Sequence, residues 1–144
     1  MTARIVGLHI YPIKSCAGID LREAELTRAG LAHDRRWMLV DDGGQFLTQR
    51  QLPRMALIRT ALAEAALRLD APGMETLDVP LDGSELSSGV EQVVVWRDTV
   101  PARAESERAA DWFSRFLGVT CRLFKVDVQA HRAAREEWVE SWRA

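Results

Sequence analysis

At 144 residues with a formal net charge of −2, the chain fits one domain around a single core, and its near-neutral charge argues against nucleic acid as a general partner. No unbroken apolar run approaches the ~20 residues of a membrane span, and the N-terminus lacks the charged-then-apolar layout of a secretion signal. Two cysteines, Cys16 and Cys121, stand in no C-x-x-C spacing; they fit a reducing cytoplasm better than a disulfide framework, with a pairing between them as the alternative.

In chain order, residues 5–10 alternate so that Val6, Leu8 and Ile10 share one face, which predicts a strand. Tyr11-Pro12-Ile13-Lys14-Ser15-Cys16-Ala17-Gly18-Ile19 then places a cation, a hydroxyl and a thiol on a tight bend. Pro12 fixes its own φ and biases Tyr11 toward extended structure. Gly18 permits backbone angles that a Cβ opposes, so Lys14 and Ser15 sit on a shaped loop suited to an anion. The plainer reading is a strand-ending turn with an exposed lysine. Residues 37–40 are apolar on both faces and predict a buried strand, and Asp41-Asp42-Gly43-Gly44 carries a hairpin signature before Phe46. Those two carboxylates suit a solvated turn better than a metal. Leu57, Ile58 and Leu62, then Leu67 and Leu69, predict another strand pair, although 61–66 is helix-prone by composition. The Gly, Pro, Ser and Asp between Asp70 and Gln92 mark a surface excursion with short strands at most, and 93–96 is a short continuous run of β-formers.

One helix is well founded. Ala109, Trp112, Phe113, Phe116 and Leu117 fall at i, i+3, i+4, i+7 and i+8, with Ser106 to cap the start and Gly118 to end it. Rings on that stripe read as core. Residues 119–126 return as a strand with Cys121 and Leu123 on one face, so Cys121 is expected as a buried thiol. In the tail, Ala134, Trp138 and Trp142 recur every four residues among Arg135, Glu136, Glu137 and Glu140, which predicts a short amphipathic helix. No internal repeat is visible.

Several motifs in order carry a family resemblance: Y-P-I-K-S-C-x-G-I at 11–19, D-R-x-W-M-L-V-D-x-x-G at 34–44, T-x-R-Q-x-P-x-M at 48–55, then Val93–Asp98, Ala109–Ser114 and Phe116–Gly118. From about Arg4 to Val126, the chain resembles the N-terminal β-barrel domain of MOSC proteins. These include the C-terminal region of molybdenum cofactor sulfurase, the mitochondrial amidoxime reducing component and related bacterial proteins. The resemblance implies an α+β fold: a mainly antiparallel barrel-like structure, closed or nearly so, with one helix packed near 106–118. It divides the chain into a domain at 1–128 and an amphipathic tail at 129–144, leading to a MOSC domain that the sequence does not contain. The chain is thus expected to be either a fragment cut at a boundary or a stand-alone copy.

By the same resemblance, Lys14 and Ser15 match the family's cofactor-contacting pair and Arg35 the Arg of its Asp-Arg motif; Arg50 is the second-rank candidate. Molybdenum cofactor is a pterin with a phosphate and a dithiolene, so it calls for cations and donors at one end and a soft thiolate at the metal. Lys14 would act as a point charge, Ser15 as a hydroxyl donor and Arg35 as a fork on phosphate oxygens. All three must then converge on one surface, while Arg36 is expected to face the other way, as strand neighbours do. Cys16, beside Lys14, would have a lowered pKa. In the family, however, the metal-ligating Cys lies in the following domain, so Cys16 is expected to be a packing residue. His9, His33 and His131 show no zinc spacing, and no Ser/His/Asp set can be argued. Pyridoxal phosphate, linked to sulfurase relatives, finds no supporting motif.

The implied function is the substrate- and cofactor-proximal half of a molybdenum protein that reduces N-hydroxylated compounds or transfers sulfur, silent in isolation. Its implied partners are the downstream domain and an electron-donor protein. The alternative is a binding module without chemistry that recognises a substrate or a protein partner.

Overall fold

The computed structural model describes residues 1–127; the helix expected within 129–144 lies outside them. In chain order the strands are β1 (Leu8–Ile10), β2 (Ile19–Leu21), β3 (Leu26–Thr27), β4 (Gly30–Leu31), β5 (Trp37–Asp41), β6 (Arg59–Leu62), β7 (Ala66–Asp70), β8 (Leu77–Pro80), β9 (Glu91–Val95), β10 (Asp98–Ala104) and β11 (Cys121–Val126), with the helix α1 (Glu107–Leu117) before the last. The strand ladders are antiparallel: β1 with β2, β3 with β4, a three-stranded sheet β6-β7-β8, and a four-stranded sheet β5-β11-β10-β9. This is the mainly antiparallel structure with one helix that the motifs imply.

The four-stranded sheet curls back on itself. After the Asp41–Gly44 turn, Phe46 bridges antiparallel to Val40 on one side, while Gln45 bridges parallel to Val94 of β9 on the other. The turn forms as its sequence predicts, with Asp41 Oδ1 accepting from the N–H groups of Gly43 and Gln45. Residues 45–46 thus link the two edge strands, and the side chains turned inward make a small core of Met38, Val40, Phe46, Val93, Val95, Val100, Ala102, Ala104 and Phe124.

Because neighbouring strand residues point to opposite faces, the alternate set on β5 and β11 packs outward. Trp37, Leu39, Cys121 and Leu123 meet Ala109, Trp112, Phe113, Phe116 and Leu117 of the helix and Leu67, Leu69, Leu77 and Val79 of the three-stranded sheet. The helix begins and ends where its sequence says: Ser106 accepts from the Ala109 N–H, and Gly118, left-handed at φ 72°, donates its N–H to the Ser114 carbonyl.

Two expectations need correction. Residues 5 and 6 are not in a strand; Ile5 is 76% and Val6 93% exposed, because the β1 ladder ends where Leu8 meets Leu21 and, among the described residues, no strand pairs with them. Trp96 does not continue β9. It occupies the two-residue link that sets Asp98 opposite Val95, and such links demand the left-handed backbone seen in its φ of 58°. The strand pair expected here does form, as β6 and β7, despite the helix-prone composition of 61–66: pairing Leu62 with Leu67 lets Leu67 and Leu69 enter the core. β10 itself has no early counterpart in the sequence reading: Pro101 and Arg103 interrupt its small apolar residues.

One buried acid has energetic consequences. Glu105, 6% exposed, accepts a 2.8 Å hydrogen bond from the Trp37 indole N–H through Oε1, while Oε2 finds no hydrogen-bond partner among the described residues. Burial raises its pKa, opposed by the Trp37 hydrogen bond and by Lys125. A raised folded-state pKa stabilises the fold fully below the ordinary glutamate range and loses that contribution as pH rises through the folded value. The Glu105 contribution therefore falls from acidic toward neutral pH, opposite in sign to that of Glu75, Asp78 and Asp82, whose pKa values are lowered. Glu105→Gln should shift the slope of stability against pH toward positive values in denaturant unfolding, and an unchanged slope would remove Glu105 as a contributor. Phe113, fully buried, should cost about 3 to 5 kcal/mol on replacement by Ala, and a loss below about 1 kcal/mol would show that its ring is not part of the core.

Candidate functional site

Where β1 ends, residues 11–14 run alongside 35–37 as a short parallel pairing. The Arg35 N–H donates to the Tyr11 carbonyl (2.8 Å), Trp37 N–H to the Pro12 carbonyl (3.0 Å) and Lys14 N–H to the Trp37 carbonyl (2.9 Å). Pro12 lacks a donor but offers its acceptor, so it fits this seam. Asp34 braces both segments: Oδ1 accepts from the Tyr11 N–H at 2.8 Å, and Oδ2 pairs with Arg35 Nη1 at 2.6 Å. The Arg35 guanidinium also lies over the Tyr11 ring, 4.8 Å from its centroid. A third segment is tied on by the Gln49 side chain, whose Nε2 donates to the Ser15 carbonyl at 2.8 Å.

The bend is shaped differently from expectation. Ser15 itself takes the left-handed conformation, φ 72°, which for a residue with a Cβ costs on the order of 1 to 3 kcal/mol. Gly18 serves clearance: a Cβ there would sit 2.7 Å from the Tyr11 ring. Arg36 diverges from Arg35 only in part: it donates from Nη2 to the Val126 carbonyl at 2.9 Å, yet it lines a second cleft together with Arg35, because Arg35 sits in the turn preceding β5 with φ 48° rather than in an alternating strand.

These segments enclose a cleft of about 380 Å³, and Lys14, Ser15, Arg35 and Arg50 all line it. Thr48 and Gln49 contribute polar walls. Trp96, missed by the sequence reading, completes the rim. It is 52% exposed, packs edge-on against Phe46 with centroids 5.0 Å apart, and has Lys14 Nζ 5.7 Å and Arg50 Cζ 5.9 Å from its ring. Lys14 Nζ is also 5.0 Å from the Phe46 centroid. The available signal was a bulky aromatic in a hairpin link where Gly or Asn is usual.

Cys16 borders the cleft but faces inward, 1% exposed and in the same apolar cluster as Cys121. Burial, reinforced by the neighbouring Cys121, pushes its pKa to about 12. That reverses the lowering expected from Lys14, since desolvation outweighs a cation whose side chain points to the rim. Among the described residues, no cluster of His, Cys, Asp or Glu could hold a metal ion. The ammonium, guanidinium and hydroxyl groups that line the cleft are of the kind that donate to oxyanions.

Residues 2–120 match the MOSC N-terminal beta barrel domain. The chain belongs to that family. It is 33% identical over 135 residues to the molybdenum cofactor sulfurase of Homo sapiens, covering 92% of this chain and 15% of that protein. It is 36% identical over 125 residues to the mitochondrial amidoxime reducing component 2 of Rattus norvegicus, covering 83% of this chain and 37% of that one. A MOSC N-terminal domain is thus a minor part of each relative's length. A solution structure of a Bordetella bronchiseptica protein superposes with a TM-score of 0.59 at 34% identity, covering 76% of this chain and 92% of that chain.

Thiol chemistry gives the check on this site. Raising the Cys16 pKa from 9.0 to about 12 lowers its thiolate fraction roughly a thousandfold, before any loss of access. A disulfide reagent at mildly alkaline pH should leave Cys16 unmodified in the native protein and label it rapidly in denaturant. Fast native labelling would contradict this burial.

Proposed function

We propose that this MOSC N-terminal domain supplies the phosphate-facing side of a molybdenum-cofactor site, completed by a MOSC domain in the same protein or in trans. The whole would reduce N-hydroxylated compounds or transfer sulfur, drawing on an electron-donor protein in the first case. The observation that carries this reading is the opening of Lys14, Ser15, Arg35 and Arg50 onto one cleft.

The residues divide the work of binding. Arg35, held by Asp34 and by the Tyr11 ring, presents a fork whose orientation is set before any ligand arrives, which lowers the entropic cost of contact. Lys14, set against Phe46 and Trp96, acts as a point charge, and the Ser15 hydroxyl can donate to an oxyanion. Arg50, near the same Trp96 ring as Lys14, adds a further charge. When bound, the cofactor supplies the metal centre for two-electron or sulfur chemistry; this domain's residues bind and orient it. The soft ligand must come from elsewhere, because Cys16 is buried and protonated. Two free buried thiols suit a reducing compartment, which supports a cytoplasmic setting.

The second reading, a module that docks a substrate or protein without chemistry, draws on the exposed aromatic rim of Tyr11 and Trp96. Cofactor content separates the two. A charge-assisted hydrogen bond contributes roughly 1.5 to 3 kcal/mol, so three contacts to a hydrated phosphate, after the cost of association, leave the isolated chain near millimolar affinity at best. Purified alone, it should carry no stoichiometric molybdenum or pterin and show no reductase or sulfurtransferase activity. Joined to a MOSC domain it should retain both, with Lys14→Ala or Arg35→Ala weakening retention about tenfold to a hundredfold. Stoichiometric metal on the chain alone would overturn the division of labour, and full cofactor retention in both variants would favour the docking module.

A further inference from the structure

A second cleft, of about 460 Å³, lies on the other side of Lys14 and Arg35. Its floor is Met38, Val95, Val100 and Val126, side chains that belong to the small barrel core or pack against it. The cleft therefore sits over one end of the barrel core, whose Met38, Val95 and Val100 line it with only their outermost atoms exposed. Its rim is cationic. Arg28 stands on the β3–β4 hairpin turn, which the Thr27 hydroxyl closes by donating to the Gly30 carbonyl at 2.7 Å, and Arg36 is steadied by its bond to the Val126 carbonyl. The lone carboxylate of the lining, Asp34, is engaged by the Tyr11 N–H and the Arg35 guanidinium.

An apolar floor of branched side chains under a rim of guanidinium groups selects one class of ligand: an aliphatic chain with an anionic head. The volume falls within the range of small-molecule sites, which favour the mouths of barrels, and accommodates a chain of about eight carbons. We infer that this cleft binds a medium-chain carboxylate, with the chain on Met38, Val95 and Val100 and the carboxylate held by Arg28 and Arg36. Such a ligand would lie beside the phosphate-facing cleft and share its Lys14–Arg35 wall, yet its binding stands whether or not that cleft takes a cofactor.

The test is calorimetric titration of the full chain with octanoate, 1-octanol and acetate, with methyl NMR to locate the ligand. Octanoate should bind about tenfold more tightly than octanol, which lacks the charge, and than acetate, which lacks the chain. It should shift the methyl signals of Met38, Val95, Val100 and Val126. Arg28→Gln, at an exposed turn, should weaken octanoate about tenfold and leave octanol unchanged. Ser15→Ala, which alters only the neighbouring cleft, should change nothing. Equal affinity for octanoate and octanol, unmoved floor methyls, indifference to Arg28→Gln, or loss of binding in Ser15→Ala would each overturn the assignment.

Discussion

Three backbone hydrogen bonds between residues 11–14 and 35–37 hold Lys14 and Arg35 on one cleft, although the two are far apart in the chain. Trp37 is the hub of that seam. Its backbone faces Ile13 on one side and pairs with Lys125 of β11 on the other, its indole is fully buried, and its N–H reaches Glu105. The placement of two surface cations is thus inherited from the protein's main core. A side chain anchored this way loses little freedom on meeting a ligand, which is where a preorganised site gains affinity.

The same architecture sets what the domain cannot contribute. A loop carrying a cation, a hydroxyl and a thiol in sequence could offer all three to a ligand, yet the left-handed Ser15 turns Cys16 into the core while Lys14 stays at the rim. Desolvation then holds the thiol protonated. The cleft thus presents cations and a hydroxyl while its one thiol is buried, and in the proposed function the soft ligand would come from a MOSC domain. Trp96 joins the two sides of the site: its exposed ring touches both Lys14 and Arg50, and the turn that presents it closes the β9–β10 hairpin of the barrel.

The legible parts of this chain are those decided locally or by a motif. The α1 stripe and its caps depend on neighbours within a turn or two, as does the Asp41–Gly44 hairpin, and both form as their residues dictate. Lys14, Ser15, Arg35 and Arg50 were reached through the resemblance; residue types alone pointed only to an anion-suited loop, because the seam that unites them is long-range. What stayed hidden depends on partners. Ile5 and Val6 have strand propensity but, among the described residues, no strand to pair with. Pro101 and Arg103 mask β10, which tolerates both within a curled sheet. The direction of the Cys16 pKa turns on burial, which a neighbouring lysine in the sequence does not reveal.

In the proposed function, the cleft built by the 11–14 and 35–37 seam grips an oxyanion. Amide and indole NMR shifts of the full chain on titration with inorganic phosphate test it most directly, since they report weak binding residue by residue. Shifts should concentrate at Lys14, Ser15, Arg35, Gln49, Arg50 and the Trp96 indole, and vanish when Lys14 and Arg35 are both replaced by Ala. Shifts scattered over other surface arginines, or surviving that double substitution, would contradict it.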